Sequence, residues 1–274
     1  MRRRSHLNSR KRILATPYVI WSAVFIVIPL CMILYYGLTD KTGDFTLENI
    51  TAIASVGHAR ALWRSILLSV ISTILCFLLA YPLAMILANR KGKSSSLIIL
   101  LFILPMWMNF LLRTLAWQTL LEKTGVINGI LSFFGLPPLR IINTSYAIVL
   151  GMVYNFLPFM VLPLYNALSK IDENVINAAK DLGANKIQTF IRVILPLSVP
   201  GIISGITMVF VPALTTFVIS TLLGGSKVLL IGNVIEQEFT QASNWHLGSG
   251  LSIVLMIFIL INMVVTALFE KDEN

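Results

Sequence analysis

The stretch that decides the fold is residues 65–88, which read SILLSVISTILCFLLAYPLAMILA and contain no charged side chain. A helix needs roughly 20 apolar residues to cross the hydrocarbon core of a bilayer, and this stretch is long enough to do so. Five other stretches have similar length and character, and they lie at about 17–38, 97–121, 146–168, 197–221 and 249–269. The sequence therefore predicts an all-α polytopic membrane protein with six transmembrane helices.

The overall composition also indicates a membrane protein. Of the 274 residues, 57% are hydrophobic and 12% are charged, and this charged fraction is about half that of an average soluble domain. The formal net charge of +9 would suit nucleic acid, whose phosphates attract clustered Lys and Arg. Most of these basic residues instead flank the apolar stretches, where they orient helices in a membrane. We therefore expect a lipid bilayer, and no nucleic acid, around this chain.

The distribution of Lys and Arg predicts the orientation of the chain. Fourteen of them fall in the N-terminus, the 89–96 and 169–192 connections and the C-terminus, whereas six fall in the alternate connections. Because basic residues accumulate on the cytoplasmic side, both termini are expected in the cytoplasm, with the protein in the cell membrane. The alternate connections, near 39–64, 122–145 and 222–248, are then external, and each is long enough to hold a short helix.

The N-terminal segment carries three arginines at positions 2–4 ahead of an apolar stretch, as a secretory signal does. That stretch, at about 18–38, is long enough to span and has no clear small-residue cleavage site, so we expect it to be retained. Residues 1–16 are then a basic cytoplasmic N-terminus. Residues 17–274 are expected to form one transmembrane domain, with its core at about 61–269.

The internal connection at 169–196 mixes charged and apolar residues with helical periodicity. Asp172 is placed to cap a helix, and Gly183 is placed to end it. The apolar positions between them recur at steps of three and four residues, and they are Val175, Ile176, Ala179 and Leu182. A second helical run, from Lys186 to Val193, should end at Leu195-Pro196. The small residues Ala178, Ala179 and Gly183 favour close approach by another protein over simple contact with lipid headgroups.

This segment resembles the EAA loop of ABC importer permeases. The matching string is Asn177-Ala178-Ala179, three residues, Gly183, nine residues, Val193, one residue, Leu195-Pro196. Asn177 stands where the family usually has Glu, and Val193 where it usually has Ile. The resemblance covers essentially the whole chain and implies a type I ABC importer transmembrane-domain fold. It also implies that a coupling helix docks on an ATPase, through Asn177, Ala178, Ala179, Asp181, Gly183, Leu195 and Pro196.

The resemblance implies three partners: a cytoplasmic ABC ATPase dimer, a second homologous permease and an extracytoplasmic substrate-binding protein. The chain has no string like a Walker phosphate loop, so it is not expected to be an enzyme. ATP and Mg²⁺ would be bound by the partner ATPase, and no cofactor by this chain. No metal site is expected, because His6, His58 and His246 lie outside the apolar stretches and the two cysteines lie within them.

Four strings resemble the spermidine/putrescine branch of this family, and they lie at 104–113, 157–165, 179–184 and 224–235. The resemblance implies a polyamine as substrate. A polycation needs acceptors and aromatic faces, each face contributing about 0.5–2 kcal/mol. The candidate pathway residues are Trp107, Asn109, Arg113, Trp117, Tyr154, Asn155, Glu236 and Glu238.

Each of these candidates has a plainer interpretation. The aromatic residues could be interface anchors, and Glu236 and Glu238 could lie on a solvated face. Asn109 and Arg113 are expected in the bundle interior, because polar groups in a span are costly. Arg113 would repel a polycation unless it is paired, and no Asp or Glu lies well inside a predicted span. The acidic residues of the route could then come from the second permease.

Other functions remain open from the sequence. An ABC permease of this kind could carry another solute, such as iron, sulfate or an amino-acid derivative. An intramembrane enzyme would need a nucleophile or metal constellation within the bundle, which the sequence supports poorly. A non-transporting membrane scaffold or receptor is the third alternative. Co-purification of an ATPase and a second permease would distinguish transport from the last two.

Overall fold

The computed structural model describes residues 16–89 and 93–271 of the chain. Within these ranges the regular structure is helical, with one isolated bridge between Thr39 and Phe45. The all-α prediction is therefore confirmed for the described residues. The predicted basic N-terminus lies outside them except for Thr16, as do Arg90 and Lys91 of the predicted basic turn.

The helices follow one another along the chain with short connections. In chain order they are α1 (Thr16–Leu38), α2 (Glu48–Thr51), α3 (Val56–Asn89), α4 (Lys93–Trp107), α5 (Phe110–Leu121), α6 (Val126–Phe133), α7 (Ser145–Leu168), α8 (Glu173–Asp181), α9 (Lys186–Leu197), α10 (Val199–Thr215), α11 (Ile231–Thr240) and α12 (Trp245–Lys271). Short 3-10 turns lie at Ala52–Ala54 and Gly225–Lys227, and a π-helical turn lies at Ser220–Gly224. The short helices α2, α6 and α11 lie in the three connections predicted to have room for them.

Four helices of the described chain are long and apolar enough to cross a membrane by themselves, and they are α1, α3, α7 and α12. The other two predicted spans are bent pairs of helices. Leu100–Trp107 and Phe110–Phe133 meet at 97°, and Lys186–Leu197 and Val199–Thr215 meet at 63°. The count reaches six when each bent pair is one span, which agrees with the predicted number of spans.

The helix of the third predicted span is interrupted because one residue favours a helix end and another favours a new helix start. Pro105 has no N–H to donate and lies in the last turn of α4. Asn109 then has extended backbone and caps α5, since its side-chain oxygen accepts from the N–H groups of Leu111 at 2.9 Å and Leu112 at 3.2 Å. A side chain at the break therefore accepts from some of the backbone N–H groups that the interruption leaves free.

The fifth predicted span is shorter than expected at both ends. The helix turns at Ser198, whose N–H donates to the carbonyl of Ile194 at 3.0 Å and whose hydroxyl donates to that of Leu195 at 2.9 Å. Pro200 follows in the first turn of α10, where its missing donor costs nothing. At the other end Thr216 is extended and closes α10 before the π-helical turn. The turn at Ser198 and the extended backbone at Thr216, neither of which hydropathy detects, set the two ends of α10.

Close contacts group the chain into two compact units. Of the described residues, the larger comprises 57–89, 93–234 and 259–271, and the smaller comprises 16–56 and 235–258. The core of the larger unit is centred on α7, from which Met152, Met160 and Leu164 are fully buried. Cys76 of α3 and Val209 of α10 are buried in the same cluster. The central helix of this unit is therefore α7.

The smaller unit is organised around the end of α1. The imidazole Nδ1 of His246 lies 2.7 Å from the carbonyl oxygen of Thr39, and the side-chain amide of Asn49 donates to the same oxygen at 2.9 Å. A carbonyl at the end of a helix has no partner within that helix. His246 and Asn49 thus complete the C-terminal end of the first span.

The packing of α7 against α10 depends on two glycines one turn apart. A β-carbon at Gly201 would lie 2.8 Å from the carbonyl oxygen of Pro163, and one at Gly205 would lie 2.6 Å from the sulfur of Met160. Small residues four apart allow helix backbones to approach closely, which is how helices associate in membranes without a hydrophobic driving force. Gly201 and Gly205 therefore determine how close these helices lie.

We expect Gly201→Ala to destabilise the protein by about 1–3 kcal/mol, the usual cost of overpacking a tight interior. The added methyl group would meet the backbone of Pro163, which cannot rotate away. Thermal unfolding of the purified protein in detergent would measure this as a melting temperature lowered by several degrees.

Gly129→Ala is the matched control, because a β-carbon on this helical glycine of α6 has no neighbour within 4 Å. Its melting temperature should equal or exceed that of the parent protein, since Ala favours helix. Equal melting temperatures for Gly201→Ala and Gly129→Ala would contradict the proposed role of Gly201.

Candidate functional site

The segment at 169–196 forms two short helices, as predicted, and we call it the coupling segment. Its first helix, α8, begins at Asp172, whose carboxylate accepts from the N–H of Asn174 at 2.9 Å. This confirms the predicted N-cap. Glu173 lies in the first turn and Lys180 in the last, so both charges match the helix dipole. The helix is thus stabilised at both ends by residues within the segment.

The turn between the two helices is built on Gly183, which has a φ of +87°. Its N–H donates to the carbonyl of Lys180 at 2.8 Å, and the N–H of Ala184 donates to that of Ala179 at 3.0 Å. These two bonds form a Schellman motif, which closes a helix through a left-handed residue. The predicted turn is therefore confirmed. Space around Gly183 is open, so its backbone conformation alone requires glycine.

The second helix, α9, starts with a reciprocal cap that the motif analysis missed. The side-chain oxygen of Asn185 accepts from the N–H of Gln188, and the side-chain oxygen of Gln188 accepts from the N–H of Asn185, both at 2.9 Å. This is a capping box. The spacing of the two residues is visible in the sequence, so the cap could have been found. Two capped helices joined by a hydrogen-bonded turn make the coupling segment a rigid unit.

The coupling segment exposes apolar side chains. Leu182, at the turn, is 90% exposed, and Ile187 on α9 is 70% exposed. Val175 and Ile191 are about half exposed, while Asn177 and Ala178 are exposed and Ala179 is partly buried. Exposed apolar groups of this size clustered on one short segment are typical of a surface that contacts another protein or a membrane.

The second helix of the coupling segment, α9, contacts α3, as does the corner at Ser198 that follows it. The hydroxyls of Tyr81 and Ser198 lie 2.8 Å apart, and both residues are buried. The ring of Phe190 lies edge-on to that of Tyr81, with centroids 5.7 Å apart. Thr189, in the same turn, is also buried. Displacement of α9 would therefore act directly on α3 and, through the corner at Ser198, on α10.

Three of the candidate pathway residues come together in the larger unit. Arg113 is 6% exposed, and its guanidinium carbon lies 5.8 Å from the ring centroid of Tyr154. Trp117 packs edge-on against Tyr154 with centroids 5.1 Å apart. One terminal nitrogen of Arg113 donates to the carbonyl oxygen of Pro105 at 2.6 Å. The arginine is thus held by a carbonyl and aromatic rings.

The other candidates lie elsewhere. Trp107 is 76% exposed at the break between α4 and α5. Asn109 is exposed, so its predicted interior position was wrong for this chain, and its oxygen caps α5. Asn155 is buried and donates to the carbonyl of Gly151 at 2.8 Å within α7. Glu236 and Glu238 lie on α11 in the smaller unit and are partly buried. Among the described residues, no three His, Cys, Asp or Glu side chains could hold a metal ion.

A buried asparagine that the motif analysis did not single out joins the end of α10 to α11. The oxygen of Asn233 accepts from the Ser220 hydroxyl and from the N–H of Leu230, and its nitrogen donates to the carbonyl of Phe217 at 3.1 Å and the Thr221 hydroxyl at 2.8 Å. Its amide group is therefore satisfied by four partners. The string 224–235 thus has a structural role in closing this connection.

Comparison with known proteins identifies the chain's relatives. The family described as "Binding-protein-dependent transport system inner membrane component" matches residues 80–271. The spermidine/putrescine transport system permease protein PotB of Haemophilus influenzae is 41% identical over 86% of each chain. PotB of Escherichia coli K12 is 40% identical over 86% of this chain and 89% of its own.

Solved structures give the same fold. The chain matches a bacterial ABC transporter involved in import of the acidic polysaccharide alginate with a TM-score of 0.79 and 18% identity, covering 97% of this chain and 99% of that one. It matches the MetNI methionine ABC transporter with a TM-score of 0.56 and 18% identity, covering 79% and 95%. The expected importer fold is therefore confirmed. The chain belongs to the family of binding-protein-dependent transport system inner membrane components.

Proposed function

We propose that this chain is the membrane-spanning permease subunit of an ATP-driven importer of polyamines such as spermidine and putrescine. The observation that carries the proposal is the identity of 40–41% over 86% of the chain to permeases named for these substrates. The coupling segment supports it, because its capped helices and exposed apolar turn suit a docking element. The chain itself performs no hydrolysis and binds no cofactor; ATP and Mg²⁺ are bound by the partner ATPase dimer.

In this proposal the exposed turn at Leu182 and Gly183 docks on the ATPase. Docking would cover the apolar side chains that the isolated chain exposes, and burial of apolar surface favours association. Movement of the ATPase would then pull on α9. Because α9 contacts Tyr81 through Phe190 and continues into α10 at Ser198, both α3 and α10 would follow. ATP hydrolysis would thereby change the packing of the spans.

The remaining partners are a second homologous permease and an extracytoplasmic substrate-binding protein. A structure of the related alginate transporter includes a periplasmic protein bound to an alginate pentasaccharide, which supports a binding protein here. A polycation crossing the membrane needs negative or aromatic partners. The spans of this chain offer Trp117 and Tyr154, whose rings are already together. The second permease would supply acidic groups.

The orientation follows from the basic residues. Both termini are in the cytoplasm in this proposal, so the coupling segment faces the ATPase and α11 lies toward the binding protein. We expect reporter fusions at residue 274 and near Gly135 to report opposite sides of the membrane, because three spans separate these positions. Alkaline phosphatase should be active at Gly135 and green fluorescent protein should be fluorescent at residue 274. Reports from the same side would contradict the proposed topology.

We expect Gly183→Val to reduce spermidine uptake by at least about tenfold while the protein still inserts. Backbone of positive φ costs roughly 1–2 kcal/mol for a residue with a β-carbon, and more for a β-branched one, so the turn would distort where the ATPase docks. Uptake coupled to ATP hydrolysis in the reconstituted complex measures this, with membrane content determined by immunoblot.

Gly135→Val is the matched control. Gly135 also has positive φ, +70°, and also has no neighbour within 4 Å of a β-carbon, but it lies outside the coupling segment. It imposes the same kind of strain and should leave coupled uptake largely unchanged. If both variants lose uptake equally, backbone strain alone explains the loss and the docking role of Gly183 is wrong.

Asn177→Glu should preserve or increase coupled uptake, and Asn177→Lys should decrease it. The residue is exposed in the N-terminal half of α8, where the helix dipole favours negative charge by about 0.3–1 kcal/mol. The same uptake assay compares the two variants, which differ mainly in the sign of the charge. A Glu variant less active than the Lys variant would contradict an acidic preference at this position.

A further inference from the structure

The break in the third span places non-helical backbone where the sequence predicts membrane depth. Met108 and Asn109 lie near the middle of the apolar stretch 97–121 and join Leu100–Trp107 to Phe110–Phe133, which meet at 97°. Backbone polar groups at this depth must be satisfied by protein or by water in a cavity. The break is therefore stable only if particular groups satisfy the freed donors and acceptors.

Two side chains satisfy these freed groups, one by accepting from donors and the other by donating to an acceptor. Asn109 accepts from the freed N–H groups at the start of α5. Arg113, one turn further on, reaches back across the break and donates to the carbonyl of Pro105 in the last turn of α4 at 2.6 Å. This oxygen also accepts from the N–H of Met108 at 3.2 Å, a turn bond that replaces the regular helical one. Arg113 thus connects the two halves of the broken span.

The guanidinium is held for this contact by aromatic rings. Its central carbon lies 5.8 Å from the ring centroid of Tyr154 on α7 and 6.0 Å from that of Phe110 on α5. A positive charge at the C-terminal end of α4 is favourable, because the helix dipole has its negative end there. An arginine at this point therefore has three stabilising contacts, none of which is a carboxylate.

We propose that Arg113 is a positioning residue that fixes the bend in the third span and so presents Trp107 and Met108 at the surface of the permease. This proposal rests on the proposed function, because it takes the bend to be part of the translocation pathway. It assigns to Arg113 a role that does not require contact with the polycation. It also explains how a cationic side chain is accommodated in such a chain, because its charge is directed at a carbonyl and shielded by rings.

The test measures the bend without substrate. Cys31 and Cys76 are replaced by Ser, and single cysteines are introduced as Met108→Cys at the bend or Leu136→Cys outside it. The native side chains at these two positions, Met108 and Leu136, are exposed in the isolated chain. Labelling by a water-soluble maleimide is followed in the assembled importer in membrane vesicles. Arg113→Met should raise the labelling rate of the bend cysteine by at least about tenfold, since a charge-assisted hydrogen bond is lost and the bend opens. Labelling at position 136 should stay unchanged.

Conservative variants separate positioning from general damage to the fold. Arg113→Lys keeps a charged donor that can also lie over an aromatic ring, and it should restore bend labelling to within about twofold of the parent. Tyr154→Leu removes the ring that holds the guanidinium and should raise labelling about threefold, whereas Tyr154→Phe keeps the ring and should match the parent. Parent-like labelling in both Arg113→Met and Tyr154→Leu overturns the proposal. So does equal acceleration at positions 108 and 136.

Spermidine uptake by the same variants gives an independent readout. A positioning role predicts that Arg113→Met lowers the maximal rate and that Arg113→Lys recovers most of it. If the parent importer does not carry spermidine at all, the proposed function fails, while the labelling experiment still tests the bend. If Arg113→Lys leaves the bend closed but abolishes uptake, the arginine acts on the substrate itself and the positioning role is overturned.

Discussion

The requirement that every backbone polar group within a bilayer find a partner inside the protein governs this structure. Continuous helices meet it by themselves, and the departures from helix are met by particular side chains. Asn109 and Arg113 satisfy the break in the third span, and Asn233 satisfies the connection after α10. Asn49 and His246 do the same at the end of α1. Each of these polar side chains thus lies where a helix starts or stops.

The second constraint is that helices in lipid associate by close packing, since the surrounding acyl chains are as apolar as the side chains. Gly201 and Gly205 bring α10 against α7, whose side chains Met152, Met160 and Leu164 are fully buried. In the same unit, the Tyr81 hydroxyl of α3 lies at hydrogen-bond distance from the Ser198 hydroxyl, directly after α9. A rigid connection therefore runs from an exposed apolar turn into the packed spans. In the proposed function, movement of the ATPase would reach the spans through this connection.

The degree to which the site could be predicted differs from residue to residue. The cap at Asp172 and the turn at Gly183 depend on a few neighbouring residues, so the prediction from spacing was confirmed. The capping box at Asn185 is equally local and could have been found. Arg113 is different, because its partners are the carbonyl of Pro105 and the ring of Tyr154, which no sequence spacing brings together. The pathway roles of these residues stay predictions.

The sequence by itself determined that the chain is a helical membrane protein and where its apolar stretches lie, because hydropathy and length are sums over neighbouring residues. It also determined the coupling segment, whose caps and turn are local hydrogen bonds. Only the tertiary structure decided that the stretch at 97–121 is bent, with its corner at Asn109, and that Arg113 donates across this bend to the carbonyl of Pro105. The physical reason is that the ring which holds the Arg113 guanidinium at this bend belongs to Tyr154 on α7, a residue distant in sequence that only the packed fold brings close.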